Sequence, residues 1–331
     1  MNRQTFFKNL LSEQNKAPQK NMGQAFAPSN IALIKYWGKR DAELNLPMTS
    51  SLSMSLGNKG ANTSIRLIDQ GHDRIVLNAQ EINMDSGFYK RSQKFLDLVR
   101  PNTQTHYEIN TQMNIPMAAG LASSACGIAA LIKALQDLYQ WQLPDTMLSI
   151  MCRIGSGSAC RSLWQGFVEW HRGEYDDGLD SYAEPLPYTM DNLCIGLLII
   201  NDQEKAISSR EAMTITTQSS MLYESWPKQV MHDLRLMKHA LEQQDFELLG
   251  KTAEHNALAM HATMLSSQPS ICYSNSETIR AMHHIWQLRR EGLSLYFTQD
   301  AGPNLKLLFE KKDTNIVQKH FPNIEIIGSR S

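Results

Sequence analysis

The chain has 331 residues, more than a single hydrophobic core usually holds, so we expect two lobes that share a cleft. Its 42% hydrophobic and 20% charged residues are typical of an ordinary globular protein. A formal net charge of −1 excludes a global electrostatic attraction to nucleic acid or to an anionic membrane surface, so any anion site must be local.

The cysteines and the N-terminus bear on location. Five cysteines, an odd number without C-x-x-C spacing, predict free thiols in a reducing cytosol, and we therefore expect a cytoplasmic protein. Residues 1–22 are a predicted N-terminal extension, because their apolar stretch is too short for a secretory signal. We expect this extension to be frayed or loosely docked. No stretch approaches the roughly 20 apolar residues of a membrane helix, so no membrane partner is expected.

Strand and helix patterns alternate in the first two thirds of the chain, and helices dominate the last third. β-Branched content and apolar runs predict strands, and amphipathic spacing predicts helices. The predicted strands cover residues 31–34, 61–67, 74–77, 106–109, 167–170, 193–200 and 293–298. The predicted helices cover residues 88–99, 128–138, 145–154, 221–244, 246–264 and 276–291. The change in composition predicts one domain at 23–195 and a second at 196–331.

A basic cluster follows the strand predicted at residues 31–34. Lys35, Lys39 and Arg40 emerge at its end, and Gly38 permits a sharp turn. Ammonium groups act as point charges toward phosphate, so this cluster suits a polyanionic ligand. A solvated basic turn after a strand is the alternative.

A turn rich in Gly, Ala and Ser spans residues 116–125, directly before the helix predicted from residue 128. Small side chains let backbone N–H groups approach an anion, and a helix N-terminus adds unpaired donors and a positive dipole end. These features indicate a phosphate-binding loop. It is not a Walker A loop, because no Gly-Lys-Ser/Thr ending closes it. Tight packing between strand and helix is the alternative.

Gly and Ser alternate in the segment Gly155–Ser162, at the end of a predicted helix. Its N–H and hydroxyl donors, together with the guanidinium fork of Arg161, suit a carboxylate or a phosphate. A helix C-cap followed by a polar loop is the alternative. Cys160 has no neighbouring base in the sequence, so we expect its thiol to be packed and inert.

Asp300 comes directly after an apolar strand and just before Gly302 and Pro303. A carboxylate in this position can serve as a base when a nearby cation and partial burial tune its pKa. An ordinary Asp-initiated turn is the alternative. None of the ten histidines, two of which (His255 and His261) lie in one predicted helix, has neighbouring residues in a metal-binding pattern. We expect them at the surface or as hydrogen-bonded core residues.

Taken in order, these segments resemble signature sequences of the GHMP kinase superfamily, and within it those of the mevalonate diphosphate decarboxylases. The similarity spans residues 24–308 and is carried by N-I-A-L-I-K-Y-W-G-K-R at 30–40, A-A-G-L-A-S-S-A at 118–125, G-S-G-S-A-C-R-S at 155–162 and D-A-G-P-N at 300–304. The resemblance implies an α+β, two-lobed GHMP kinase fold, with an N-terminal domain like domain 2 of ribosomal protein S5, a C-terminal α/β sandwich and the site between them. It also implies a homodimer.

The activity implied by the resemblance is ATP-dependent decarboxylation of mevalonate 5-diphosphate to isopentenyl diphosphate, by way of phosphorylation of the C3 hydroxyl. Asp300 would accept the hydroxyl proton, Lys35 would keep Asp300 ionised, and Arg161 would hold the substrate carboxylate or its phosphates. The implied substrate-binding residues are Tyr36, Trp37, Gly38, Lys39, Arg74, Ser156, Gly157, Ser158, Ala159, Cys160, Arg161, Ser209 and Arg210. The implied ATP-binding residues are Pro116, Ala118, Ala119, Gly120, Leu121, Ala122, Ser123 and Ser124, and the two serines would also contact Mg²⁺.

Two departures from the family pattern keep alternatives open. Gln299 precedes Asp300 where an apolar residue is common, so we expect the base to be less desolvated. Glu211 replaces a neutral residue in a loop near the substrate phosphate, so either it pairs with Arg210 or Lys205, or the substrate carries less charge, as 5-phosphomevalonate does. A mevalonate 3-kinase and a non-catalytic GHMP-fold binding protein are further alternatives.

Overall fold

The computed structural model describes residues 2–115, 123–201, 203 and 205–327. Within these ranges the helices are α1 (Arg3–Leu10), α2 (Gly87–Val99), α3 (Ser123–Tyr139), α4 (Asp145–Gly155), α5 (Ser209–Ser219), α6 (Trp226–Gln243), α7 (Phe246–Leu265), α8 (Ser276–Arg290) and α9 (Thr314–His320). The strands are β1 (Gly23–Ile34), β2 (Lys39–Asp41), β3 (Leu46–Pro47), β4 (Ser51–Ile68), β5 (Arg74–Leu77), β6 (Gln80–Glu81), β7 (His106–Met113), β8 (Phe167–Trp170), β9 (Ala183–Pro185), β10 (Leu193–Leu198), β11 (Leu295–Gln299), β12 (Leu305–Glu310) and β13 (Glu325–Ile327). Short 3-10 helices span Gly157–Arg161, Met221–Ser225 and Lys311–Asp313.

The first lobe is built on a mixed sheet whose central strand is β4. β1 pairs antiparallel with one edge of β4, and β7 and β8 pair antiparallel with the other edge. β5 runs parallel to β7, and β6 and β9 form the outer strands. α3 packs on β1 and β4, and its small residues Ala129, Ala130 and Ala134 are fully buried against them. β1 is buried from Ala27 onward, and its end places Lys35 in the interior of the molecule.

The second lobe is built on an antiparallel sheet in the order β11-β12-β10-β13. Successive side chains of a strand point to opposite faces. On β12, Leu305, Leu307 and Phe309 pack in the core with α8 and α9, whereas Leu308 joins the core that continues into the first lobe. α7 packs against both β11 and β1, so it joins the two lobes. This mixed α+β, two-lobed architecture agrees with the expectation from sequence.

The N-terminal extension is docked, so the expectation of a frayed or loosely attached segment is wrong. Phe6 and Phe7 of α1 are buried, and the ring of Phe7 meets that of Phe95 in α2 edge to face, with centroids 6.0 Å apart. Burial of one phenylalanine side chain contributes about 1.5–3 kcal/mol. The apolar residues of the N-terminal extension, which are too few for a secretory signal, therefore form the packed face of α1.

The division between the lobes lies before β10. The boundary predicted between residues 195 and 196 would cut this strand, yet β10 pairs along its length with β12 and with β13 of the second sheet. The first sheet ends at β9, so the connection between the lobes falls between Pro185 and Leu193. The apolar sequence of β10 does not differ from that of the strands before it, which is why composition misplaces the boundary.

The predicted elements are present, but some differ in their bounds and other elements were not predicted. The helix predicted over 221–244 is a 3-10 helix followed by α6, because Pro227 lies in the first turn of a new helix. The sequence did not predict α1, α5, α9, β2, β3, β6, β9, β12 or β13. β1 and β4 begin eight and ten residues before the strands predicted at 31–34 and 61–67. Among the described residues, no helix is both long and apolar enough to cross a membrane.

Candidate active site

An ion pair across the two lobes forms the centre of the site. Nζ of Lys35, directly after β1, donates to Oδ1 of Asp300, directly after β11, at 2.7 Å. Nζ of Lys35 also donates to the carbonyl oxygen of Ala32 at 2.7 Å, and the Lys35 backbone N–H donates to Oδ1 of Asn256 in α7 at 2.8 Å. The Lys35 side chain is only 2% exposed. The structure thus brings together two residues that the sequence predicted as catalytic partners.

A second lysine, Lys306 of β12, contacts the same carboxylate. Its Nζ lies 3.0 Å from Oδ2 of Asp300, and its side chain is buried. Sequence reasoning missed this residue. The available signal is a lysine between Leu305 and Leu307 in an apolar strand, since a buried lysine requires a partner.

The pKa values of Asp300 and Lys35 are both shifted by this arrangement. Burial alone would raise the pKa of Asp300, but Lys306 and Lys35 outweigh burial and hold that pKa well below its usual range. Burial lowers the pKa of Lys35 to about 8, although Asp300 partly opposes this effect. Asp300 is therefore ionised throughout the neutral range, and its side chain is 30% exposed, which leaves it open to the cleft.

Two further side chains fix the turn that carries Asp300. Nε2 of His261, in α7, lies 3.1 Å from the backbone carbonyl oxygen of Asp300, and burial lowers the pKa of His261 to about 4, so a neutral imidazole donates this bond. The amide of Gln299 is fully buried and donates to the carbonyl oxygen of Gly302 at 2.8 Å. Gln299 therefore fastens the turn. The expectation that Asp300 is less desolvated than in chains with an apolar residue at this position stays a prediction.

Arg161 ends the 3-10 helix Gly157–Arg161 and is fully buried among neutral partners. Its Nε donates to Oγ of Ser53 at 3.1 Å, and Nη1 donates to Oγ of Ser51 at 2.6 Å. Burial lowers the pKa of Arg161, and no carboxylate in the described part of the chain lies within ion-pairing distance of its guanidinium. A buried cation without a counter-ion is costly, so this arrangement favours an anionic ligand beside Arg161.

The segment Tyr36–Lys39 is clamped from the second lobe. The hydroxyl of Tyr223 and Nε1 of Trp226 both donate to the carbonyl oxygen of Trp37, at 3.0 and 3.1 Å. Gly38 adopts φ +99°, and a Cβ at this position would overlap the hydroxyl of Tyr223. Only glycine meets both requirements.

Lys39 and Tyr36 present polar groups with few charged partners. Nζ of Lys39 donates to Oδ1 of Asn45 at 2.6 Å, and burial, together with nearby Arg210, lowers the pKa of Lys39 to about 8. The ring centroid of Tyr36 lies 4.7 Å from that of Trp170, and the buried hydroxyl of Tyr36 has no hydrogen-bond partner among the described residues. Burial raises the pKa of Tyr36, so the hydroxyl is a donor without an acceptor. Such groups are typical of a ligand-binding surface.

The rest of the predicted substrate-binding residues divide into two sets. Ser156, Gly157 and Ser158 are partly exposed, Ser209 begins α5, and Arg210 lies close enough to influence the pKa values of Lys39 and Tyr36. Ala159 and Cys160 are fully buried, so only their backbone groups could meet a ligand. Burial raises the pKa of the Cys160 thiol to about 12, as expected for an inert packed cysteine.

Arg74 does not belong to this site, and its predicted role in substrate binding is wrong. It lies in β5, where Nε donates to Glu81 at 2.9 Å and Nη1 donates to Glu108 at 2.7 Å. Glu108 is also paired with Arg66, near the far end of β4 from Ser53. The intervening strand measures on the order of 40 Å at about 3.3 Å per residue. Both sides of the Arg74 guanidinium are taken by carboxylates at a distant edge of the sheet.

Comparison with known proteins identifies the family. Residues 27–183 match the diphosphomevalonate decarboxylase-like N-terminal domain, and residues 195–326 match the mevalonate 5-diphosphate decarboxylase C-terminal domain. The chain belongs to the diphosphomevalonate decarboxylase family. The resemblance drawn from the four motifs is confirmed.

Individual relatives agree with this assignment. The diphosphomevalonate decarboxylase mvd1 of Aspergillus fumigatus is 36% identical over 316 residues, covering 88% of this chain and 77% of that protein. The crystal structure of mevalonate diphosphate decarboxylase from Staphylococcus aureus is 38% identical, with a TM-score of 0.88 over 94% of this chain and 96% of that one. A complex described as MDDEF with MVAPP, AMPPCP and magnesium is 37% identical, with a TM-score of 0.85 over 92% and 95% of the two chains. The predicted GHMP kinase fold is confirmed by these neighbours.

The phosphate-binding loop of the family motif lies mostly outside the described residues. Pro116–Ala122 are not among them, and of Ser123 only the backbone is described, as the first residue of α3. Ser124 is exposed in the first turn of α3, where free N–H groups and the helix dipole favour an anion. Within the described ranges, no group of three or more His, Cys, Asp or Glu side chains could form a metal site. A magnesium ion held by phosphate oxygens and a serine hydroxyl, as Mg²⁺ prefers, fits this composition.

The departure at Glu211 has a local explanation. Ser208 is the N-cap of α5, and its hydroxyl accepts from the backbone N–H of Glu211 at 3.2 Å. An acidic side chain in the first turn of a helix is stabilised by the helix dipole. The pairing of Glu211 with Arg210 or Lys205 predicted from sequence is not found. Instead, the carboxylate influences the pKa of Tyr273.

Proposed function

We propose that this chain catalyses the ATP-dependent decarboxylation of mevalonate 5-diphosphate, giving isopentenyl diphosphate, ADP, phosphate and CO2. The proposal is supported by the carboxylate of Asp300, which two buried lysines keep ionised. The same cleft holds Arg161, a buried cation with no ion-pair partner among the described residues. Relatives with the same two domains are named for this decarboxylation, which supports the assignment.

The residues have distinct tasks in the first half of the reaction. Asp300 accepts a hydrogen bond from the C3 hydroxyl of the substrate, aligns its oxygen with the terminal phosphoryl group of ATP and receives its proton. A tertiary alcohol is a hindered acceptor, so alignment contributes more than basicity. A carboxylate with a low pKa is suited to this task, because the proton is lost late, when the oxygen already bonds to phosphorus.

The second half of the reaction follows from the charge that phosphorylation creates. The C3–O bond breaks and inorganic phosphate departs with the electron pair, which leaves developing positive charge at C3. The bond between C2 and the carboxylate then breaks, its electrons form the alkene, and CO2 is released. Arg161 would hold the substrate carboxylate or a phosphate in register for this step, because its guanidinium is fixed by Ser51 and Ser53.

Ser123 and Ser124 would hold magnesium, which when bound would reduce the charge of the ATP phosphates. Lys39 and Arg210 would neutralise the phosphates of the substrate. The neighbouring complex with AMPPCP and magnesium supports the use of both.

The diphosphate is favoured over 5-phosphomevalonate as the substrate. Repulsion by Glu211 is the argument for a monophosphate, but this carboxylate influences Tyr273, whereas Arg210 beside it influences Lys39 and Tyr36. We infer that Arg210, in the first turn of α5, faces the substrate side of the cleft. This charge distribution supports a ligand with more negative charge.

The test is a product analysis of the purified enzyme with ATP and magnesium. Mevalonate 5-diphosphate should yield ADP, phosphate and CO2 in equal amounts, and 5-phosphomevalonate and mevalonate should give much lower rates. ADP without CO2 would indicate a kinase, and a faster reaction with the monophosphate would indicate a phosphomevalonate decarboxylase. A chelator of magnesium should stop turnover; undiminished turnover in chelator would refute the phosphoryl-transfer assignment.

The predicted cytoplasmic homodimer stays a prediction. The family resemblance supports it, and light scattering of the purified protein tests the dimer directly, since a homodimer has twice the chain mass of 37.5 kDa.

A further inference from the structure

Each carboxylate oxygen of Asp300 contacts one buried lysine. Lys35 contacts Oδ1 at 2.7 Å, and Lys306 contacts Oδ2 at 3.0 Å. The first contact crosses between the lobes, whereas the second lies within the hairpin of β11 and β12. We propose that Lys306 is a positioning residue that orients the Asp300 carboxylate and keeps it ionised, an inference that rests on the decarboxylase function proposed above.

The register of the β11–β12 hairpin places the Lys306 side chain beside the Asp300 carboxylate. Lys306 is the cross-strand partner of Thr298, and Asp300 lies two residues beyond Thr298, so all three side chains project from one face. Thr298 on that face points to the first lobe, where its hydroxyl approaches the carbonyl oxygen of Ala32 at 3.4 Å. Leu305 and Leu307 point to the opposite face. The ammonium of Lys306 is thus held in the interior beside the catalytic carboxylate.

Two anchored contacts fix the plane of the carboxylate. A carboxylate held at one oxygen can still rotate about its Cβ–Cγ bond, and contact at both oxygens removes this freedom. Lys35 depends on the relation between the lobes, because its backbone belongs to β1. Lys306 belongs to the same hairpin as Asp300, so its hold on Oδ2 does not depend on how the lobes are arranged. This is the distinct task that Lys35 alone cannot perform.

The groups around Asp300 are cationic or neutral. They are Lys35 after β1, Lys306 in β12, His261 in α7, Lys205 before α5 and Arg161 after α4. Burial raises the pKa of Asp300, and the charges and hydrogen bonds of Lys306 and Lys35 lower it. Removal of one nearby opposite charge commonly raises the pKa of an aspartate by about one to three units. Lys35 remains in place when Lys306 is changed, so the effect of Lys306 can be isolated.

The first test needs no substrate. The protein is labelled with 13C at the aspartate carboxyl carbons, and the Asp300 resonance is assigned by its loss in D300N. In the wild type this resonance should not titrate before the protein unfolds in acid. In K306M this resonance should titrate while the protein is still folded, whereas in K306R it should stay constant down to the unfolding pH, as in the wild type.

The second test measures turnover with ATP and mevalonate 5-diphosphate. K306M should lower kcat by about ten- to a hundred-fold with KM little changed, because a misaligned base affects the transition state more than binding. K306R should recover most of the activity, and K312M, at an exposed lysine paired with Glu310, serves as the matched control. K306Q provides a second neutral variant if K306M does not fold.

The proposal is overturned if the Asp300 resonance of K306M and K306Q still does not titrate before the protein unfolds, or if their kcat is unchanged. Failure of K306R to differ from K306M also overturns it. If the wild type produces no CO2, the proposed function fails, but the carboxyl titration still decides whether Lys306 controls Asp300.

Discussion

The ammonium group of Lys35 lies 2.7 Å from the carboxylate of Asp300, although the two residues belong to different lobes. Lys35 is fixed from three directions, because its backbone N–H is bound by Asn256 and its Nζ also by Ala32. The carboxylate of Asp300 is therefore aligned by the packing of β1 against α7 and the second sheet, not by its own turn alone. The proposed role of Asp300 as the base thus makes catalysis depend on the same interface that holds the lobes together.

Replacement of Asp300 by Asn should lower kcat by about 10²- to 10⁴-fold, because the amide cannot accept the hydroxyl proton. Binding of ATP and of mevalonate 5-diphosphate should remain, since Arg161, Lys39 and Arg210 are unchanged. Calorimetric titration measures the binding, and coupled ADP release measures kcat. Appreciable turnover in this variant would remove Asp300 from the role of base.

The pH profile of kcat should fall on the alkaline side near pH 8. Burial lowers the pKa of Lys35 to about 8, so its ammonium is lost as the pH rises through that value, and Asp300 loses a counter-charge. K35R should move this fall to higher pH, because a guanidinium stays protonated. Since the pKa of Lys39 is also lowered to about 8, K39R is the matched comparison. If the alkaline fall in kcat moves only in K39R, the group that titrates is Lys39 and not Lys35.

Replacement of Arg161 by Lys should lower kcat/KM by about ten- to a hundred-fold, the effect of losing one charge-assisted hydrogen bond of about 1.5–3 kcal/mol. A single ammonium cannot contact Ser51 and Ser53 and also hold an anion in the geometry of a guanidinium fork. Arg172→Lys, at a partly exposed residue paired with Glu174, is the control. Steady-state rates near normal in R161K would mean that Arg161 makes no directed contact with the substrate.

The docked N-terminal helix predicts a stability effect without a catalytic one. Phe7→Ala should lower the free energy of unfolding by about 3–5 kcal/mol, because the side chain is fully buried against Phe95. Phe88→Ala, at an exposed phenylalanine, should cost far less. Urea unfolding measures both. Equal stability of the two variants would show that α1 is loosely attached after all.

Contiguous motifs could be predicted from the sequence because their spacing is local. Lys35, Arg161 and Asp300 each lie in such a motif, and the structure brings Lys35 and Asp300 into contact. Lys306 and His261 carry no local signal of this kind, because their contacts with Asp300 depend on strand register and on how α7 packs. Arg74 was assigned to substrate binding from its position in the sequence relative to the motifs, and this assignment is wrong. Its partners Glu81 and Glu108 are brought to it by strand pairing, which the linear sequence does not reveal.

The same limit applies to the fold. The alternation of apolar residues predicted most strands and helices, but the sequence alone could not place β10 in the second sheet. That assignment depends on its pairing with β12 and β13, which come more than a hundred residues later in the chain. Likewise, the burial of Phe7 requires α2 as its partner. Local pattern thus defines elements, and long-range pairing decides which lobe each element joins.

Replacement of Gly38 by Ala should both destabilise the enzyme and raise the KM for mevalonate 5-diphosphate. At φ +99° a Cβ is strained, and it would also overlap the hydroxyl of Tyr223, which holds the carbonyl oxygen of Trp37. The Tyr36–Lys39 segment must therefore shift, and with it the ammonium of Lys39. We expect a loss of more than about 1 kcal/mol in the free energy of unfolding, measured with urea.

Gly57→Ala separates the two causes, because Gly57 also has positive φ (+63°) but has open space where the Cβ would lie. It should show backbone strain alone, with a smaller loss of stability and an unchanged KM. Combining Gly38→Ala with Tyr223→Phe removes the overlapping hydroxyl and should recover part of the lost stability. If Gly38→Ala and Gly57→Ala behaved alike in both stability and KM, close contact between Gly38 and Tyr223 would have no part in shaping the substrate site.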